Sequence, residues 1–203
     1  MQHALALCAS LALAACSSKY SQVPARLDLS QYGRVAIVAF AADQENDGIS
    51  SLATQHFAET LLANQSGIEL LELGPADSTV RALPATADGA ALAQALGKHK
   101  GVPAVFVGSL KVSKVKPRGH LDASGVNLRA GVSAELTVRL LSTSTGGTLW
   151  RSSSVANGSV GRLNLSGGLP SIALRDKEEA YGEVVRQLIV DVTRDLRPTW
   201  VKQ

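Results

Sequence analysis

Two short runs of branched apolar residues constrain the fold of this chain more than anything else in it. Arg-Val-Ala-Ile-Val-Ala-Phe at residues 34–40 and Ala-Val-Phe-Val-Gly at 104–108 show no polar alternation. A strand with one wet face alternates polar and apolar side chains, whereas a strand without alternation is covered on both faces. Covering both faces of a sheet takes helices, and the sequence between the two runs supplies them. Behind Asp47-Gly48, residues Ile49, Leu52, Ala53, Phe57, Leu61 and Leu62 recur at the helical period. Residues 68–73 read as a short strand, and 88–98 as an alanine-rich helix closing at Gly101-Val-Pro103. Strands that alternate with helices in this way lie parallel in one sheet.

Beyond residue 130 the pattern changes. Val132, Ala134, Leu136, Val138 and Leu140 alternate with Ser133, Glu135, Thr137 and Arg139, which marks a half-buried antiparallel strand. Ser144-Thr-Gly-Gly147 predicts a hairpin turn, and residues 148–155 return as the next strand. The glycine-bearing segment before residue 132 and the Gly/Ser-rich stretch 157–168 read as connections. A final helix over residues 176–196 carries Ala180, Tyr181, Val184, Val185, Leu188, Ile189, Val192 and Leu196 on one stripe, and Pro198 ends it. The expected fold is α/β, a single mixed sheet of about five strands in the order β-α-β-α-β-β-β-α. Helices pack on that sheet, its first half is parallel, and its second half is an antiparallel hairpin.

Residues 4–15 are apolar apart from Ser10, long enough for a signal-peptide core and too short to cross a bilayer as a helix. The run ends in Leu13-Ala-Ala-Cys16, which resembles the bacterial lipobox, where a peptidase cuts before a cysteine whose thiol carries diacylglycerol. Residues 1–15 are thus expected to be a lipoprotein signal peptide and Cys16 the lipidated residue. Residues 16–31 follow as a short tether, and residues 32–203 as one domain. Met1-Gln2-His3 supplies no Lys or Arg before the apolar run, so the start codon is open to lying upstream. Ser17, rather than Asp, behind the cysteine favours the periplasmic face of the outer membrane over the inner membrane by resemblance to enterobacterial sorting rules.

Composition removes several function classes. Aromatics make up 4 % of the 203 residues, too few for a base-stacking or sugar-stacking surface, and the net charge of +3 is far below a nucleic-acid-binding balance. Two cysteines, one of them in the leader, exclude a disulfide scaffold. His56, His99 and His120 lack metal-ligand spacing, and no metal or other cofactor is expected. Asp43, Glu45 and Asp47 alternate as in a calcium loop, but without its glycine and closing glutamate they read as a solvated acidic loop. Gly97-Lys-His-Lys-Gly101 lacks phosphate-loop spacing, Gly158-Ser-Val-Gly161 is one residue short of a nucleophile elbow, and Trp150 reads as a hairpin anchor. No catalytic residue is expected.

The runs at 34–40, 68–73, 101–109 and 138–150, with Thr145, Gly146, Leu149 and Trp150 at the hairpin, resemble the CsgG/LpoB-like superfamily. The resemblance covers most of residues 34–197. It includes the curli secretion lipoprotein, penicillin-binding-protein activator lipoproteins and the N-terminal domain of TolB. Its motifs are structural, so it carries over no functional residue. It implies a non-catalytic envelope lipoprotein acting as an adaptor or accessory subunit. Two alternatives stay open: a secretion-pore subunit resembling the curli channel, and an activator of a peptidoglycan synthase. Pore-forming members carry membrane hairpins where this chain has residues 111–130 and 155–177, and neither stretch shows the alternation of a lipid-facing strand. A protein partner in the envelope is implied, and a homo-oligomer is compatible.

Charge is segregated along the chain. Residues 35–80 hold seven acids and no Lys or Arg, whereas residues 98–121 hold Lys98, Lys100, Lys111, Lys114, Lys116 and Arg118 and no acid. Lys111, Lys114, Lys116 and Arg118 are the candidate contact with an anionic envelope component or an acidic partner, on an arm that Pro117 and Gly119 release from the third strand.

Overall fold

The computed structural model describes residues 20–42, 47–75, 77–82, 89–113, 116–122, 125–166, 169–174 and 177–202. In chain order these contain β1 (Tyr20–Val23), β2 (Arg34–Val38), α1 (Asp47–Asn64), β3 (Glu69–Leu73), α2 (Ser78–Arg81), α3 (Gly89–Lys100) and β4 (Ala104–Val112). Then follow β5 (Lys116–Asp122), β6 (Gly125–Ser142), β7 (Thr148–Ser166), β8 (Leu169–Leu174), α4 (Lys177–Val192) and β9 (Thr199–Lys202). The fold is α/β. Its main sheet runs β3-β2-β4-β6-β7-β8, with β5 paired to β6, and β1 pairs with β9 in a separate two-stranded ribbon.

The five expected strands are all present, with β2 parallel to β3 and β4 and the rest antiparallel. Three expectations are corrected. The segment before residue 132 and the stretch 157–168 are not connections: β6 begins at Gly125, β7 runs to Ser166, and β5 and β8 flank them. Glycine and serine hid these strands because both are poor strand formers, and here cross-strand pairing rather than propensity sustains them. The tether expected over residues 16–31 is shorter than that. From Tyr20 onward it is built into the fold, since Leu29 is fully buried and β1 has a partner.

Alternation along β2 explains its unbroken apolar run. Val35 and Ile37 enter the larger core, where Phe57 and Leu61 of α1 and Val184, Val185 and Leu188 of α4 cover the sheet. Ala36 and Val38 point the other way, into a smaller core under Ala93 and Leu96 of α3. Helix α3 has twelve residues, a length of about 18 Å, and covers only part of that face, over β2, β3, β4 and the Leu141 end of β6.

Four aromatic rings string through the larger core edge to face: Phe40 to Phe57 at 5.4 Å, Phe57 to Phe106 at 5.2 Å, and Phe106 to Trp150 at 6.1 Å. The Phe40 ring lies over the backbone of Gly108, where an added Cβ would sit 2.4 Å from it. One amide joins the two ends of the chain. Gln65 Nε2 donates to the carbonyls of Leu27 (3.0 Å) and Leu196 (2.7 Å), and its Oε1 accepts from the Leu29 N–H (2.9 Å).

Candidate functional site: a basic sheet face

Where α3 stops, one face of β4, β6 and β7 is left uncovered by the described residues. The same alternation that buries Leu136 and Leu140 sends Glu135, Thr137 and Arg139 to this side. With Ser109, Lys111 and Arg151 they line a shallow polar cleft of about 240 Å³. Lys111 stands opposite Glu135, and Arg139 stands opposite Arg151. Thr137 and Ser153 close the neighbouring rung with a 2.9 Å hydroxyl–hydroxyl hydrogen bond.

The electrostatics of this face are unbalanced. Directly opposed like charges weaken a sheet pair, so the Arg139–Arg151 rung opposes folding locally. Three cations and one carboxylate line the cleft. Among the described residues, none of Lys111, Arg139 or Arg151 belongs to an ion pair. Arg139 is half-buried, and its guanidinium fits beside Gly89 at the start of α3, with Nη2 2.9 Å from where a Cβ would stand.

The register carries the basic character outward. Arg118, Arg129 and Arg162 are consecutive partners across β5, β6 and β7. Along β6, Arg129 falls in the same alternation as Glu135, Thr137 and Arg139. Between the polar rungs lie apolar ones: Leu121–Val126–Leu165–Pro170 and Gly119–Leu128–Leu163–Ile172. This corrects the expectation that residues 111–130 and 155–177 lack alternation. The pattern is split over four strands, and register shifts at Ala130/Gly131 and Leu140/Leu141 break it in β7.

Lys111 is exposed on the uncovered face, and Lys116 and Arg118 take register positions in β5. Cys16 and Lys114 lie outside the described residues, as do Asp43 and Glu45. The free arm is corrected: Pro117 and Gly119 sit inside β5, whose one strand partner is β6. An edge strand tolerates proline because one row of its amides has no ladder partner to lose. Sequence reasoning missed Arg129, Arg139, Arg151 and Arg162, which only cross-strand register unites. Their signal was the polar half of an alternation inspected for its apolar half.

The other candidates take structural roles. His56 is exposed on α1, its Nδ1 3.1 Å from Glu59 Oε2. His99 lies in the last turn of α3 and His120 in β5. Among the described residues no cluster of three metal-ligating side chains occurs. Asp47 opens α1, where a carboxylate suits the helix dipole. Trp150 packs on the core as expected. Gly158-Ser-Val-Gly161 lies within β7 rather than on a turn.

A larger cavity of about 750 Å³ opens at the carboxyl ends of β2 and β3, the position where α/β sheets commonly hold ligands. Two of the hydroxyls that line it, those of Ser50 and Thr54, are engaged in fastening the fold. Ser50 Oγ donates to the Phe40 carbonyl, and Thr54 Oγ1 donates to Ser50 O at 2.9 Å while accepting from the Phe40 N–H at 2.9 Å. They fasten α1 to the end of β2 and assemble no reactive group.

No protein-family model matches the chain, and no curated protein matches it in sequence. Solved structures similar to it include the PelC dodecamer from Paraburkholderia phytofirmans, at 18 % identity and a TM-score of 0.46 over 88 % of this chain and 96 % of that one. Lipoprotein GNA1162 from Neisseria meningitidis is similar at 14 % identity and a TM-score of 0.43, over 76 % of this chain and 93 % of that one. The LpoB C-terminal domain from Salmonella enterica is similar at 16 % identity and a TM-score of 0.36, over 66 % and 84 %.

Proposed function

We propose that this protein is a non-catalytic envelope lipoprotein, anchored through Cys16 at the periplasmic face of the outer membrane. It acts as an adaptor that offers its basic sheet face to an acidic surface of a partner protein. The observation that carries the reading is the uncovered face itself, with Lys111, Arg139 and Arg151 around one cleft and Arg118, Arg129 and Arg162 in register beyond it. Cations held on a sheet steer an acidic partner and fix its register more than they add raw affinity. Among the described residues no helix is long and apolar enough to cross a membrane.

A photo-crosslinking residue at Ser109, followed by mass spectrometry on intact cells, tests the adaptor. The expected result is one dominant neighbour, lost when Lys111, Arg139 and Arg151 are changed to Glu. A neighbour captured equally by that triple variant refutes the assignment of the face. Metabolic labelling with a palmitate analogue tests the anchor: label on the parent and none on Cys16→Ser is expected, and label surviving in the variant sinks it.

The pore reading gains support from the alternating rungs of β5–β8. Against it stand the cations Lys116 and Arg118 in β5 and Arg129 and Arg162 in register with them, since a charged residue on a lipid-facing strand is costly. Ion conductance by the purified protein in planar bilayers would reverse this ranking. The activator reading predicts a peptidoglycan synthase as the crosslinked neighbour.

A further inference from the structure

We propose that the β1–β9 ribbon is an interfacial docking site, seated on the phospholipid surface that carries the Cys16 acyl chains. The proposal rests on the lipid anchor put forward above. The ribbon concentrates exposed apolar surface: Tyr20 is 55 % exposed, Val23 41 %, Trp200 65 % and Val201 50 %. None of these four joins either hydrophobic core. A two-stranded sheet in water is marginal by itself, and one that turns Trp and Tyr to solvent is poorer still.

Three observations choose lipid as the occupant. The first is distance: only residues 17–19 separate Cys16 from Tyr20, a reach of at most about 14 Å even fully extended. An anchored chain therefore holds the ribbon at the headgroups. The second is the kind of side chain. The register sets Trp200 opposite Gln22 and Tyr20 opposite Lys202 on one face, and Val201 opposite Ser21 and Val23 opposite Thr199 on the other. Trp and Tyr, with apolar bodies and polar edges, favour the membrane–water boundary. The third is charge: Lys19 and Lys202 flank the ribbon with no acid among residues 16–25 and 198–203, which suits anionic headgroups, while Arg26 is paired with Asp195 and Arg197 donates to the Val190 carbonyl.

The backbone sets the depth. Among the described residues neither strand of the ribbon has a second strand partner, and the N–H and C=O groups of such an outer edge are not accepted by the hydrocarbon core. The ribbon lies at headgroup level and orients the domain on the leaflet.

The test uses the chain begun at Cys16, coupled through that thiol, its sole cysteine, to a maleimide-bearing phospholipid. The coupled protein is placed in vesicles of phosphatidylethanolamine and phosphatidylglycerol doped with brominated phosphatidylcholine. The Trp200 share of the tryptophan emission, parent minus Trp200→Phe, should fall at least twofold with bromine near the headgroup end of the acyl chain, and less with bromine near its tip. Trp200→Phe should abolish the quenching while melting like the parent, because Trp150 belongs to the core. Parent emission indifferent to bromine overturns the proposal. So does a concentration-dependent dimer that Trp200→Ser dissolves in the absence of quenching, which assigns the ribbon to a second copy. Because the lipid is coupled chemically, acyl chains missing from Cys16 in cells overturn the anchor and not the ribbon's affinity for lipid.

Discussion

At the scale of single residues, Gly108 and Asp77 do work that their residue types alone do not announce. Gly108 is the place on β4 where the Phe40 ring closes over the backbone, so Gly108→Ala pushes a methyl group into an aromatic chain with no room for it. Overpacking of this kind costs about 1–3 kcal/mol, and a lower urea midpoint with an unchanged slope would report it. Asp77 caps α2 by accepting the Thr79 N–H at 2.8 Å, and Lys100 Nζ reaches it at 2.8 Å from the end of α3. The Lys100 hydrogen bond, with the Thr79 amide behind it, holds the Asp77 carboxyl below the usual carboxylate range. The folded state therefore favours the ionised form. Its contribution to stability is complete above the ordinary carboxylate pKa and is lost as pH falls through the lowered value. Asp77→Asn should flatten the acid limb of the stability–pH curve and leave its neutral region with a constant offset; an acid limb as steep as the parent's would show that other carboxylates govern it.

At the scale of elements, the sheet rung that unites Arg139 with Arg151 separates fold from function. Arg151→Glu turns a like-charge rung into an attractive one, so stability should rise by roughly 0.2–1 kcal/mol. The same change should weaken capture of an acidic partner, most at low salt, where exposed charges are least screened. Equal capture by parent and variant at both salt concentrations would leave the arginines as solvated charges. Lys111 was legible as a candidate because it belongs to a run of cations in sequence. Arg139 and Arg151 belong to no such run. They meet because a tight turn at residues 144–147 folds β7 back on β6, so a search along the chain passes them separately. The same reason hid β5 and β8, whose short strands acquire meaning only from partners.

At the scale of the whole molecule, residues 20–29 and 195–202 are one structural unit. Leu29 is fully buried, Gln65 binds backbone groups from both ends, and Leu27 N–H donates to Asp195 O at 3.1 Å. A chain begun at Ser30 loses the β9 partner and the Leu29 side chain, and leaves Gln65 and the Asp195 carbonyl short of partners. Emptying one buried Leu site alone typically costs about 2–5 kcal/mol. The chain from residue 30 should thus melt well below one begun at residue 17, and equal melting temperatures would show that the N-terminal segment is dispensable. The sequence by itself determined the α/β class, the five central strands and that helices pack on their sheet, because apolar periodicity is a local signal that burial reads directly. Only the tertiary structure decided that the N-terminal segment is part of the fold, that glycine-rich stretches are strands, and that distant arginines share one face. Those outcomes depend on pairings between residues far apart in the chain, and the energy of such a pairing resides in neither partner's own sequence.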